Sequence, residues 1–527
     1  MTRPGADPAG AGATGGVPAP AAAPGRDGAI RPGPVYLTVL VIATCGLVYE
    51  LVAGTLASYL LGDSVTQFSL VIGVYLTSMG LGAWLTRFLE RGLAQRFVDA
   101  EIAVAFVGGL SAPILYFSFS SPRFFQPVFF SVVVLIGVLV GLEIPLMLRL
   151  LRTSVAFKDL VSQVLTFDYL GALVASVLFP LVFVPRLGLV RTSVLFGLLN
   201  AAVAFASIHI FRDRIGSPRR LVLKAAAVTV LLLAAFVMAD RLTNLAEETQ
   251  YADEVLLART TPYQRIVLTR NRAGFQLFLN GHLQFSSVDE YRYHEALVHP
   301  AFAVNPGAKR VAVLGGGDGL AVREILRHPG VESVTLVDLD PAMTDLARNH
   351  PLFRKLNGES LSSSKVTVVN EDAMVWLPKG TDLFDLVFVD FPDPNSFAVG
   401  KLYTARFYSM LKARLDPDGA IAVQSTSPLF ARHSFWIVER TIAAAGYVTR
   451  PYHAAVPSFG EWGYVLAARK PFDVPARVPP GLRFLSEANL PGLFAFGPDM
   501  ARLEVPVNRL NTQVLVRTYE REWKKFE

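Results

Sequence analysis

The feature that most constrains this chain is a series of long apolar stretches confined to its first half. They run at approximately 35–62, 67–86, 97–119, 124–148, 164–185, 190–211 and 221–239. Each, at about 20 residues, is long enough to cross the hydrocarbon of a bilayer as a helix. Buried helices of a soluble core would show polar faces in such stretches, so residues 35–239 are read as an all-α multi-pass transmembrane domain of about seven helices. Ahead of it, residues 1–34 are rich in Pro, Gly and Ala and nearly devoid of large apolar side chains, the composition of a disordered tail. The tail lacks the basic and apolar regions of a cleaved secretory signal.

Charges between the stretches give an orientation. Arg3, Arg26 and Arg31 precede the first, Arg87, Arg91 and Arg96 follow the second, Arg149, Arg152 and Lys158 follow the fourth, and Arg212, Arg214, Arg219 and Arg220 follow the sixth. The alternate connections hold only Arg123, Arg186 and Arg191. Basic connections face the cytoplasm, which puts the amino terminus there and, after seven spans, everything beyond Ala239 outside. Of the acids in the spans, Glu50 is a candidate functional group, whereas Glu143 and Asp168 are expected to reach the interface or pair with Arg149 and Arg152. The single cysteine, Cys45, lies in an apolar run and excludes a disulfide framework and any multi-cysteine zinc or iron–sulfur site. The net charge of +6 is too small to argue for nucleic acid.

From about residue 240 short β-rich and helical segments alternate. Residues 240–306 read as a linker and a small β-hairpin unit: strands at Tyr263–Thr269 and Phe275–Leu279, with Asn280-Gly281 supplying the positive φ angles of a tight turn before His282. Residues 307–470 read as a Rossmann-like α/β domain, and 471–527 as a C-terminal extension. The strand Arg310–Leu314 runs into Gly315-Gly-Gly-Asp-Gly319 and a helix near Ala321, an order that sets backbone N–H groups beside a bound nucleoside. The next strand ends in Asp338, twenty residues after Asp318, where an acid can accept hydrogen bonds from ribose hydroxyls. Strands at Val366–Val369 and Leu386–Val389 also end in acids, at Asp372 and at Asp390 and Asp393. Parallel sheets present ligands at the carboxyl ends of their strands, so these five carboxylates should line one crevice. The glycine loop lacks the phosphate-binding lysine, and the acids would repel a pyrophosphate. A cationic ligand fits better.

Residues 261–470 resemble the spermidine synthase family of polyamine aminopropyltransferases, which implies a Rossmann-like fold of the S-adenosylmethionine-dependent methyltransferase type. The likeness rests on Tyr263-Gln264, Tyr293-His294-Glu295, Gly315-Gly-Gly-Asp-Gly319, Val337-Asp-Leu-Asp340, Asp372-Ala373, Asp390-x-x-Asp-Pro394 and Val456-Pro457, and the first half resembles the multi-pass segment of membrane-attached members. The resemblance implies transfer of an aminopropyl group from decarboxylated S-adenosylmethionine, a co-substrate, to a polyamine such as putrescine. Methylthioadenosine is released, with no metal or prosthetic group. It implies that Asp338 holds the ribose, Asp372 and Ala373 read the adenine, Asp318 receives the aminopropyl ammonium, and Gln264 contacts the donor. Tyr293, His294, Asp318, Asp390 and Asp393 are implied on the polyamine side, with Asp390 as the catalytic base. An acid at Asp318 would repel the carboxylate of an ordinary methyl donor.

The sequence departs from the soluble pattern where the acceptor would sit. The usual Asp-Ser-Ser-Asp-Pro reads Asp390-Phe391-Pro392-Asp393-Pro394, keeping both acids but losing two hydroxyls, and Phe459 stands where a tyrosine is expected. A methyltransferase using intact S-adenosylmethionine, and a polyamine-binding or transporting membrane protein with a non-catalytic soluble domain, are the alternatives. Because the donor is made inside cells, the catalytic half is expected on the cytoplasmic face, against the charge rule. A homo-oligomer is left open.

Overall fold

The computed structural model describes residues 32–61, 64–119, 122–152, 157–239, 241–242 and 251–526. The expected tail 1–34 lies outside these residues up to position 31; the first helix begins at Pro32, inside the segment expected to be tail. The first half is a helical bundle: α1 (Pro32–Leu61), α2 (Ser64–Leu85), α3 (Leu93–Gly109), α4 (Ser111–Phe119), α5 (Pro122–Leu151), α6 (Phe157–Leu178), α7 (Val184–Ile210) and α8 (Pro218–Val237). Among the described residues, six helical runs are long and apolar enough to cross a membrane, one of them the 53-residue run Lys158–Ile210.

That long run folds back on itself. Gly188, at φ 71° and ψ 177°, interrupts it just after the wide turn Phe179–Phe183. Thr44 Oγ1 on α1 donates to Gly171 O on α6 at 3.2 Å, while the neighbouring Cys45 Sγ reaches Phe196 O on α7 at 3.7 Å. In a straight helix Gly171 and Phe196 would stand about 37 Å apart. Their meeting one level of α1 shows that α6 and α7 are two limbs.

Small residues bring α2 and α5 together. A Cβ on Gly82 would sit 2.1 Å from Val138 O, and one on Gly141 would sit 2.1 Å from Met79 O. With Gly137 one turn before Gly141, this is the small-xxx-small spacing that lets helix backbones touch. A polar chain crosses the bundle interior: Tyr49 Oη donates to Asn200 Oδ1, and Asn200 Nδ2 to Glu101 Oε2, both at 3.0 Å. Glu143, expected at the interface or paired with Arg149 or Arg152, is instead 1% exposed with neither carboxyl oxygen hydrogen-bonded. Arg149 Nη1 goes to Thr86 O at 2.7 Å. The pairing fails because α5 turns Glu143 inward.

In the second half the first sheet is antiparallel with strand order β1 (Glu254–Thr260), β2 (Arg265–Arg270), β3 (Phe275–Leu279), β4 (His282–Ser286). It is a four-stranded sheet rather than a hairpin unit; the Asn280-Gly281 turn does have positive φ at both residues. The helix Glu290–Val304 then leads into a seven-stranded sheet of order β10 (Val448–Val456), β11 (Gly460–Ala468), β9 (Leu415–Gln424), β8 (Phe384–Asp390), β5 (Arg310–Gly315), β6 (Ser333–Asp338), β7 (Val366–Asn370). Strands β9, β8, β5, β6 and β7 are parallel, and β10 and β11 antiparallel. Alternation along β5 sends Val311 and Val313 into one apolar core and Ala312 and Leu314 into the other, as a sheet covered on both faces requires. The chain leaves β5 toward β6 on one side and returns as β8 on the other. A crevice therefore opens at the carboxyl ends of β5 and β8.

Gly141→Ala tests the bundle. Alanine normally favours a helix interior over glycine by about 1 kcal/mol, but here its methyl would drive α2 and α5 apart. The thermal midpoint of detergent-purified protein should fall, by the equivalent of about 1–3 kcal/mol.

Candidate active site

The site is built where β5 and β8 part. Gly315 pairs with Asp390 across the parallel ladder. Gly315 and Gly316 take φ of 82° and 65°, which side chains other than glycine rarely adopt. Space enforces glycine as well: a Cβ on Gly315 would lie 2.2 Å from Asp390 O, and one on Gly316 2.9 Å from Asp390 Oδ2. The loop turns against the acid and opens into the helix Leu320–Ile325.

Asp390 is partly buried and accepts a hydrogen bond from Tyr293 Oη at 2.5 Å. Burial raises its pKa to about 6, with His294 and the Tyr293 hydroxyl opposing and the Asp318 charge adding to the rise. Tyr293 comes from the helix Glu290–Val304, and burial and the Asp390 charge hold its phenol far above the usual range, so it remains a donor. The next residue, His294, is held by Glu290, whose backbone O and Oε2 lie 2.8 and 2.9 Å from Nδ1. Burial alone would depress the imidazole, but the Glu290 hydrogen bond and the charges of Glu290, Asp318 and Asp390 raise its pKa above the ordinary value. Arg323 in turn spans both oxygens of Glu290, each at 2.9 Å. Asp318 Oδ1 accepts from Leu320 N at 2.9 Å, and burial raises its pKa against the pull of His294.

Asp338 ends β6 with its carboxylate fixed by backbone: Gly317 N donates to Oδ2 at 3.0 Å and Asp340 N to Oδ1 at 2.9 Å. Each oxygen keeps a lone pair for a neighbouring diol. Burial raises its pKa to about 6. Gln264 Nε2 donates to Asp340 Oδ2 at 3.0 Å, beside Thr261 Oγ1 at 2.8 Å. Gln264 thus reaches the Asp338 loop through Asp340, an acid that the sequence motif contains but to which no role was assigned. Asp372 caps the helix Ala373–Trp376 through Met374 N at 2.8 Å, and its Oδ2 is engaged by Lys401 Nζ at 2.5 Å. Ala373 is buried beside it. Lys401 carries no local sequence signal, since only the fold brings it to Asp372.

Asp393 lies beyond the Phe391-Pro392 turn. Tyr519 Oη and Thr426 Oγ1 donate to its Oδ2 at 2.8 and 3.0 Å, and Gln424 Nε2 lies 3.4 Å from Oδ1. Burial raises its pKa to about 6. Thr426 has φ 59°, a costly conformation for a β-branched residue. Of the five acids expected in one crevice, Asp318, Asp338 and Asp390 form one electrostatic group. Asp393 sits in its own ring of donors, and Asp372 is engaged by a lysine. Phe459 packs 6.1 Å from the Tyr293 ring and 5.0 Å from Trp462.

A spermine/spermidine synthase domain model matches residues 290–474. The polyamine aminopropyltransferase of Leptospira interrogans is 54% identical over 494 residues, covering 93% of this chain and 99% of that protein. The chain belongs to the polyamine aminopropyltransferase family. Polyamine aminopropyltransferase 2 of Ralstonia nicotianae is 52% identical over 500 residues, covering 93% of this chain and 98% of that one. A crystal structure of a spermidine synthase in complex with the transition-state analogue AdoDATO aligns at 25% identity and TM-score 0.44 over 46% of this chain and 86% of that one. The two relatives span the helical bundle as well as the transferase half.

Gly317→Ala tests the donor side of this aminopropyltransferase. The added Cβ would lie 2.6 Å from Asp338 Oδ2. Affinity for methylthioadenosine, measured by calorimetry, should fall at least about tenfold, roughly the worth of one hydrogen bond to a charged group.

Proposed function

We propose that the chain transfers the aminopropyl group of decarboxylated S-adenosylmethionine to an amine of a polyamine, releasing methylthioadenosine. The observation that carries the reading is Asp390: a partly buried carboxylate at the parting of two parallel strands, touching the glycine loop and held by Tyr293. The family's reaction needs a base, because a polyamine nitrogen is protonated at neutral pH and then has no lone pair. Asp390 takes that proton. The freed nitrogen attacks the carbon bound to the sulfonium, the N–C bond forms as the C–S bond breaks, and the electron pair leaves on sulfur as a neutral thioether.

The remaining side chains follow from charge. Asp338 takes the ribose hydroxyls, with Gln264 steadying that wall through Asp340. Asp372 and Ala373 face the adenine, where the exocyclic amine meets the oxygen that Lys401 engages. Asp318, close to His294, receives the aminopropyl ammonium, a position at which the carboxylate of a methyl donor would be repelled. That repulsion disfavours the methyltransferase reading. Asp393 receives the far ammonium of the acceptor. A crevice of carboxylates also concentrates polycations before they bind.

The six apolar helical runs support a multi-pass membrane domain in the cell membrane, with the bundle surface facing lipid. Seven passes, counting the folded run as two, put the basic connections and the amino terminus at one end and the transferase half at the other. Supply of the donor places the transferase half in the cytoplasm, which puts the basic end outside. A reporter fused after Glu527 that is active only in the cytoplasm should be active; an inactive one there, with an export-dependent reporter active, overturns this orientation.

Asp390→Asn should reduce formation of methylthioadenosine about 10²–10⁴-fold, the usual worth of a positioned base, with product detected by mass. The wild-type kcat/KM should fall as pH drops through about 6, because Asp390 and Asp393 must both be ionised to work. Tyr293→Phe removes a donor that favours the ionised form, so its acid limb should move to higher pH. A profile flat to pH 5 would remove Asp390 from the role of base.

A further inference from the structure

Residues beyond 474, outside the matched domain, reach back into the site. The helix Val514–Trp523 is fastened by Glu522, whose carboxylate accepts from His433 N at 2.9 Å, Ser434 N at 3.0 Å and Ser434 Oγ at 2.7 Å at the start of the helix Arg432–Ala444. Ahead of it, buried Asn508 donates to Tyr403 O at 3.0 Å and to Gly400 O at 3.3 Å, and accepts from Leu515 N at 3.3 Å. Tyr403 Oη in turn donates to Pro392 O at 3.1 Å. The segment is thus tied to the turn that carries Asp390 and Asp393. From it, Tyr519 Oη donates to Asp393 Oδ2 at 2.8 Å.

That turn is where the chain lacks two hydroxyls relative to the soluble pattern it resembles. Two hydroxyls arrive from elsewhere, Thr426 Oγ1 and Tyr519 Oη, and both land on one oxygen. A carboxylate oxygen has two lone-pair sites, so Oδ2 is filled. Oδ1 has only the long 3.4 Å approach of Gln424 Nε2, which makes shorter bonds to Phe391 O at 2.5 Å and Tyr403 Oη at 2.7 Å.

We propose that Tyr519 is a positioning residue for the acceptor: by occupying Oδ2 of Asp393 with Thr426, it leaves Oδ1 as the single oxygen that receives the distal ammonium of the polyamine. The C-terminal segment is then part of the acceptor site. This rests on the aminopropyltransferase reading and on Asp393 as the acceptor's far anchor. The hydroxyl also favours the ionised carboxylate over burial, so it keeps Asp393 ready for a cation at lower pH.

The test is steady-state kinetics of the full detergent-purified chain, with putrescine and spermidine as acceptors, for wild type, Tyr519→Phe and Trp523→Phe. Tyr519→Phe keeps the ring against Trp523, 5.8 Å away, and removes only the hydroxyl. Expected are a rise in acceptor KM of about tenfold, a donor KM changed less than about twofold, and an acceptor kcat/KM whose acid limb moves to higher pH. Trp523→Phe, which disturbs the same helix without touching Asp393, should leave all three near wild type. Equal rises in both variants, an unchanged acceptor KM in Tyr519→Phe, or a Tyr519→Phe chain that does not fold would each overturn the proposal, because the residue would then serve packing alone. Absence of turnover in the wild type would instead overturn the aminopropyltransferase reading on which it stands.

Discussion

The transferase half depends on one backbone adjacency, the pairing of Gly315 with Asp390 at the place where β5 and β8 diverge. The glycine loop, Tyr293, His294 and Asp318 are arranged around it. The glycine loop can pass so near the acid only because neither Gly315 nor Gly316 has a side chain. Tyr293 crosses from the preceding helix to hold the acid, and His294, locked by Glu290 and Arg323, has its pKa raised by the charges of Glu290, Asp318 and Asp390. A parallel sheet supplies this geometry at no extra cost, since strands on either side of the switch point end at one edge.

The carboxylates there are held against their own solvation. Burial lifts Asp338 and Asp393 from an ordinary value of 3.8 to about 6. At about 1.4 kcal/mol per unit, that is roughly 3 kcal/mol of folding stability for each group. The sign follows from linkage: a carboxyl whose pKa is raised on folding destabilises the fold fully above about 6, and the cost vanishes once pH falls below the unfolded value.

Much of this was legible in the sequence because its signals are local. Short apolar runs that end in a glycine loop or an acid mark β5 to β8, positive-φ residues mark the Asn280-Gly281 turn, and apolar length marks the helices. Strand β1 and the strands β9 to β11 escaped that reading. The Asp416-Pro-Asp-Gly419 run inside β9 has the composition of a turn and lies where the register shifts, since β8 pairs with Leu415 and then with Ala420, and β11 with Ala420–Gln424. Lys401, Gln424, Thr426 and Tyr519 were equally invisible, since each meets its carboxylate from across the fold. Glu143 failed for the converse reason: its arginine neighbours are close in sequence, but helix rotation points it into the bundle.

The glycine at 188 carries a topological consequence. Were the run from 158 to 210 a single straight rod, the bundle would have an even number of passes, and both of its ends would emerge on the same side. The kink makes the parity odd. In the bilayer setting proposed above, the bend formed by Phe179–Phe183 and Gly188 would put the transferase half on the opposite side from the amino terminus, so a chain that straightened it would carry the same acids on the other face.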